Sequence, residues 1–279
     1  MSIVISSSYV ITDSLSGGGV ITGDNPVIGW RNLVQAGSLQ STTAAAGFPV
    51  SNLGNPSTDL IWQGVVSIPE QDEYITLGVS TVDDVDYIGI AGHNFGSAQI
   101  PVSIEYLDVV ADPDTWVQLI APVILPDDGP AIFRFPPQAV ADLRIRLQPG
   151  DAAPEAAVVY AGKLLVLQRR LYVGHTPIND GRVTTIANGR SESGRFLGRI
   201  VLGQMTEGAV EMTNLTPDWY RANMRPFLSQ AQEAPFFFAW RPQSYPREVG
   251  YCWLTNDPQP SNQRANGMMQ VSLKLAGVI

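Results

Sequence analysis

Short apolar runs alternate with polar, turn-forming clusters along the whole chain, and no apolar run is long. In Leu143-Arg-Ile-Arg-Leu147 three aliphatic side chains point one way and two arginines the other. Val102-Ser-Ile-Glu-Tyr106 alternates in the same manner. A period of two predicts strands with one buried face. Such segments recur at 28–33, 73–79, 87–91, 100–106, 116–119, 131–135, 142–147 and 157–167. Turn clusters such as Asn55-Pro-Ser57 and Asp127-Asp-Gly-Pro130 separate them. Eight short strands spaced in this way predict a β-sandwich or jelly roll over residues 25–167.

Residues 168–279 read as a second β-rich unit, with strands at 168–172, 182–186, 195–202, 208–212, 236–240, 250–254 and 268–275. One helix is predicted near 217–231. Thr216 offers an N-cap hydroxyl, Pro217 fits the first helical position, and Asp218 suits the positive end of the helix dipole. Pro226 should kink or divide it. Pro235-Phe-Phe-Phe-Ala-Trp240 predicts a strand buried on both faces, with Phe236, Phe238 and Trp240 on one side and Phe237 on the other. The Phe237 side suggests a subunit contact, unless the helix covers it. Residues 1–24, rich in Ser and Gly, read as an extended arm. Its apolar patches at Ile3–Ile5 and Tyr9–Ile11 would add edge strands to a partner subunit or to the chain's own first unit. The fold class is therefore mainly β: an N-terminal sandwich, then a second sandwich-type unit with one helix.

Composition narrows the functions. The 26 Gly and 21 Pro among 279 residues exclude a coiled coil, and no run approaches the length of a membrane-spanning helix. The N-terminus lacks the basic and apolar regions of a signal peptide, so synthesis and folding in a cytoplasm are expected. The net charge of −9 is unevenly divided: residues 1–165 carry 18 acids and 5 bases, and residues 166–279 carry 8 acids and 12 bases. A first unit at −13 repels nucleic acid. Of the 17 bases, 15 are Arg, the cation better suited to interfaces.

Little points to catalysis. His93 and His175 lie outside any nucleophile pattern and read as structural. Cys252, flanked by Tyr251 and Trp253, reads as a small buried hydrophobe. Asp83, Asp84 and Asp86 form the densest acidic group, either a solvated turn or a calcium loop. Trp62 and Trp116 read as core, with sugar stacking as the functional alternative. No cofactor and no metal is expected.

Phe48-Pro-Val-Ser-Asn-Leu53, Asn55-Pro-Ser-Thr58 and Ile61-Trp62 resemble the opening of galactose-binding-like, or discoidin-like, modules. Asp86-Tyr-Ile-Gly-Ile-Ala-Gly-His-Asn-Phe-Gly96, Trp116-Val-Gln-Leu119 and Ala157-Val-Val-Tyr-Ala-Gly162 resemble later strands of the same fold. Pro235-Phe-Phe-Phe-Ala-Trp-Arg-Pro242, Gly250-Tyr-Cys-Trp-Leu254 and Val271-Ser-Leu-Lys-Leu-Ala-Gly277 are similar in style to the C-terminal sandwich of distal-tail and minor-tail proteins of tailed bacteriophages, although the domain order is reversed. The resemblance implies a non-enzymatic component of a phage tail tip or baseplate, located in the virion tail. Its partners would be copies of itself, as a trimer or hexamer, and tube, hub or fibre proteins. Arg169, Arg170, Arg190, Arg195, Arg199 and Phe237 are the interface candidates. The alternative is a carbohydrate-binding module for host surface glycans, with Trp62 and Asn94 as contacts. A glycosidase with paired carboxylates is a third reading.

Overall fold

A computed structural model describes residues 2–11, 14–16, 19–65, 71–79, 84–111, 113–263 and 267–278. The principal strands, leaving aside the two-stranded pairs Ser14–Ser16 with Gly19–Ile21 and Trp62–Gln63 with Glu155–Ala156, begin in chain order with β1 (Ser2–Ile5), β2 (Val27–Gly29), β3 (Leu39–Ser41), β4 (Glu73–Gly78) and β5 (Val85–Ala91). Next come β6 (Pro101–Asp108), β7 (Thr115–Ile124), β8 (Ala131–Gln138), β9 (Asp142–Leu147), β10 (Val158–Gly162) and β11 (Leu165–Val166). The last group is β12 (Arg182–Arg190), β13 (Phe196–Leu215), β14 (Phe236–Ala239), β15 (Val249–Leu254) and β16 (Met269–Val278).

The first unit is a β-sandwich, and the fold is mainly β as expected. A five-stranded sheet, β7-β6-β9-β4-β3, faces a four-stranded sheet, β1-β8-β5-β10. The alternation read from the sequence sets their inner faces. Ile75, Leu77, Ile104, Leu143 and Ile145 point into a core shared with Ile88, Ile90, Phe133 and Phe135. On the outer face of the five-stranded sheet Arg144 lies over the rings of Tyr74 and Trp116, 4.4 and 4.2 Å from their centroids, and pairs with Glu105 at 2.6 Å. Trp116 is thus held by the protein's own arginine.

The second unit is one large sheet, β11-β2-β14-β15-β16-β13-β12, extended by a short Ser261–Asn262 strand on β16. Two of its strands come from residues assigned by sequence to the first unit: β2 lies between β11 and β14, and β11 forms the edge. Gln168–Tyr172, expected as a strand, is irregular. The N-terminal apolar patch Ile3–Ile5 joins the chain's own sandwich, as β1 parallel to β8. Of the Gly17-Gly-Gly19 loop, Gly17 and Gly18 lie outside the described residues.

The helix occupies the expected place but is divided. Short α1 (Pro217–Trp219) leads into a π-helical segment, Tyr220–Met224, and then α2 (Arg225–Ala231). Pro226 lacks the N–H that would bond the Ala222 carbonyl and its ring crowds that carbonyl, so the ladder widens just before it. Thr216 occupies the N-cap position without a side-chain cap; its hydroxyl accepts a hydrogen bond from the Gln168 amide instead.

The layers explain the burial of β14. Phe236 and Phe238 face the helix and pack with Met224, Phe227 and Leu228. Phe237 and Ala239 face the first unit and pack with Tyr87, Ile132, Val158 and Tyr160. Phe237 lies edge-on to Tyr160, 5.5 Å between centroids, and 5.0 Å from Tyr251. A Cβ at Gly89 would stand 2.7 Å from the Phe237 ring, so a side chain there is incompatible with this approach. The hydroxyl of Tyr251 donates to the Pro56 carbonyl at 2.8 Å across the same seam. The expectation that Phe237 contacts another subunit is corrected: it is fully buried inside the chain, because the first unit supplies the layer that covers it.

Candidate functional site: an exposed two-stranded ribbon

The segments read as 182–186, 195–202 and 208–212 form one continuous feature. β12 pairs antiparallel with the first half of β13, from Arg182–Thr206 at the root to Arg190–Phe196 at the tip. β16 pairs with β13 only from Thr206 onward. Beyond that point the two strands form a ribbon with no third strand among the described residues. The local sequence suits this shape. Val183, Thr184, Thr185 and Ile186 favour extended backbone. At the tip Gly194 takes φ +81°, and the Ser191 side chain accepts the Arg195 N–H. At the root Thr206 is buried and the Glu207 N–H bonds the Gly181 carbonyl, anchoring the ribbon to the body.

No residue from 182 to 205 is buried. Phe196, Leu197, Ile200 and Leu202 are 65, 69, 66 and 66% exposed. Isolated exposed aliphatics are ordinary, but a contiguous set on one projecting element is not. The register gives the two faces different chemistry. Val183, Met205, Thr185, Ala187 and Ile200 share a face that bears no charge. Ile186, Val201 and Phe196 share the other with Arg182, Arg190 and Arg199. Arg199 donates to the Asn188 side chain at 3.0 Å, which steadies it along the ribbon.

Three of the five interface arginines read from the sequence, Arg190, Arg195 and Arg199, are therefore on the ribbon. Arg169 and Arg170 are elsewhere, bordering a surface groove with Tyr172, Thr213 and Asn214. Arg169 donates to the Asn214 carbonyl at 3.3 Å, and Arg170 lies 5.5 Å from the Tyr172 ring centre. The sequence reading missed the exposed aliphatics. Its available signal was the pair of apolar strands flanking Ser191-Glu-Ser-Gly194, a hairpin turn.

The glycan candidates fare differently. Trp62 is fully buried and its indole N–H donates to the Thr43 carbonyl, so it presents no face to a sugar. The Asn94 side chain donates to the Ala153 carbonyl at 2.7 Å and accepts the Glu155 N–H at 2.9 Å. Both residues shape the loops instead of facing out of them. At this end of the sandwich a shallow cleft runs between Val65, Gln71, Ile100, Gln148 and Pro154, with Glu73 at its base. Glu73 accepts hydrogen bonds from the Thr43 N–H and hydroxyl, and burial still holds its carboxyl above the ordinary range.

The catalytic candidates are also engaged or buried. The Nδ1 of His93 accepts the Phe95 N–H at 3.2 Å, and the ring stacks on Phe95. Burial pushes its pKa down to about 4. His175 packs 4.5 Å from Trp240, and burial lowers it likewise to about 4. Burial pushes the Cys252 thiol up to about 12, far from a thiolate nucleophile. Asp84 is exposed, Asp86 is buried and accepts the Leu164 N–H, and Asp83 lies outside the described residues. Among the described residues no cluster of three or more His, Cys, Asp or Glu side chains suits a metal, and no helix is long and apolar enough to cross a membrane.

No protein-family model and no curated protein matches the chain. Solved structures resemble about half of it. Chitosan-binding module 1 from a chitosanase/glucanase of Paenibacillus sp. IK-5 is 13% identical, with 48% of this chain and 99% of the module covered at a TM-score of 0.41. CBM32-3 from a family 31 glycoside hydrolase of Clostridium perfringens is 19% identical, with 47% and 94% covered at 0.37. A pectin-binding carbohydrate-binding module is 13% identical, with 47% and 92% covered at 0.37.

Proposed function

We propose that this chain is a non-enzymatic structural protein that works inside a larger assembly. The observation that carries this reading is the ribbon: a two-stranded element with no buried residue between 182 and 205 and aliphatic side chains on both faces. A two-stranded hairpin is at best marginally stable alone in water, and an exposed apolar patch of this kind marks an interaction surface. The tip or baseplate of a phage tail, as an oligomeric ring or adaptor, is the assembly that the sequence resemblance suggests. No tail protein is among the similar structures named above. Light scattering at micromolar protein, alone and mixed with the products of neighbouring genes, tests the reading. Complexes are expected, and a monomer under both conditions would sink it.

The alternative is a carbohydrate-binding role for the first unit. The cleft above Glu73 supports it, and the three structures named above are a chitosan-binding module, a CBM32 and a pectin-binding module. Trp62 and Asn94 do not serve as its contacts, because both are used internally. A glycan array tests this reading. Binding abolished by Gln71→Ala or Gln148→Ala would support it, and silence across the array would remove it.

A further inference from the structure

The assembly reading leaves the ribbon's partner open. On that reading, we propose that the partner is a second copy of this chain, and that the ribbon of one copy lies head-to-tail on the acidic first unit of the next.

The first argument is the state of the edge. β12 is the outer strand of its sheet, and nine residues of unpaired backbone edge run along it without proline or lysine. Natural proteins usually blunt such edges. The edge of the sandwich shows how: β7 carries Pro122 and two register shifts, and the Leu119 carbonyl is taken by the Ser6 hydroxyl. The β12 ladder has two register shifts as well, but their extra residues fall on β13, and among the described residues no proline and no side-chain hydrogen bond blunts the outer edge of β12, which fits a strand whose edge is covered on assembly.

The second argument is charge. Residues 182–205 hold four arginines, Arg182, Arg190, Arg195 and Arg199, against the single acid Glu192, a net of +3. Residues 1–165 carry −13. The rest of the second unit is close to neutral, so the ribbon is the basic element of an otherwise acidic molecule. Opposite potentials favour docking, and like ones oppose it.

The third argument excludes the simplest alternative. Two ribbons pairing edge to edge about a two-fold axis, fully overlapped and antiparallel, would set Arg182 of one copy opposite Arg190 of the other at both ends. Like charges directly opposed across a strand pair are destabilising. A basic ribbon on an acidic unit avoids this clash. It joins two different patches, and such a heterologous contact closes into a ring or continues as a filament. The face that carries Ile186, Val201 and Phe196 together with Arg182, Arg190 and Arg199 would dock, its aliphatics buried and its arginines meeting the acids.

Native mass spectrometry and light scattering of the full chain at micromolar concentration test this. Wild type is expected to form species of three or more copies that weaken with salt. Val201→Glu, and separately the triple variant Arg190→Glu, Arg195→Glu, Arg199→Glu, should lower the apparent association constant by about 30-fold or more. Near-ultraviolet circular dichroism should show both variants folded. A wild-type dimer that goes no further overturns the head-to-tail arrangement. Oligomers that survive both variants overturn the ribbon's part while leaving the assembly reading intact. A wild-type monomer overturns self-docking, and the assembly reading then stands or falls on complexes with other proteins.

Discussion

Two apolar β segments of the second unit have opposite surroundings. β14, Phe236–Ala239, has the helix on one face and the first unit on the other, and every residue is buried. The ribbon formed by β12 and the first half of β13 has neither, and its aliphatics meet solvent on both faces. The sequence made β14 look like the subunit contact, because three consecutive phenylalanines imply two buried faces. The chain satisfies both faces internally. The ribbon is less apolar per residue, yet it is the segment left uncovered. An apolar run therefore indicates burial, and only the tertiary arrangement says whether the same chain supplies the cover.

Four substitutions sharpen or break this contrast, in decreasing order of effect. Phe237→Ala empties the seam between the units and should cost about 3–5 kcal/mol, read as a lower urea midpoint. A loss below about 1 kcal/mol would mean that the seam is not packed as described. Next comes His93. Its folded pKa is depressed to about 4, whereas the unfolded imidazole takes a proton near 6.5. Its contribution is fully present above that pH and falls away toward pH 4, on the order of 3 kcal/mol in all. Asp86, raised to about 6 by burial, acts in the opposite sense, because its burial penalty shrinks as it protonates. His93→Gln should flatten the acid limb of stability against pH by about 1.4 kcal/mol per pH unit. Unchanged slopes in urea titrations at pH 7, 6 and 5 would contradict a buried neutral ring.

Asn94→Ala removes two hydrogen bonds inside the loop end and should cost about 1–2 kcal/mol in thermal unfolding. No change there would reopen Asn94 as an outward-facing contact. Smallest is Ile200→Glu, expected to shift monomer stability by no more than about 0.5 kcal/mol. A large destabilisation would show that the ribbon already has cover within its own chain.

Much of the first unit was legible because its strands are amphipathic. Glu73–Gly78, Pro101–Asp108 and Asp142–Leu147 alternate so regularly that face and register follow from the residues. The helix was legible from Pro217, Asp218 and Pro226, although the π-helical segment depends on how Pro226 disturbs the preceding turn. The unit boundary was not legible. β2 and β11 are too short to announce a sheet; β2 joins the second unit by pairing with Phe237–Ala239, more than 200 residues later, and β11 joins it by pairing with β2. β13 looked like two strands because Gly203 and Gly208 interrupt its pattern. A strand bare on both faces carries no core-facing period to bridge them. The arginines at 190, 195 and 199 were found by residue type alone. Their aliphatic neighbours went unmarked because hydrophobicity in sequence does not distinguish a covered face from a bare one.

Amide hydrogen exchange along the ribbon, compared in concentrated and dilute protein, addresses the docked ribbon most directly. The outward N–H groups of β12 should exchange rapidly when dilute. They should gain protection on concentration, together with a patch on the acidic first unit. Rapid exchange from Arg182 to Met205 in both samples, while scattering reports oligomers, would place the contact elsewhere on the molecule.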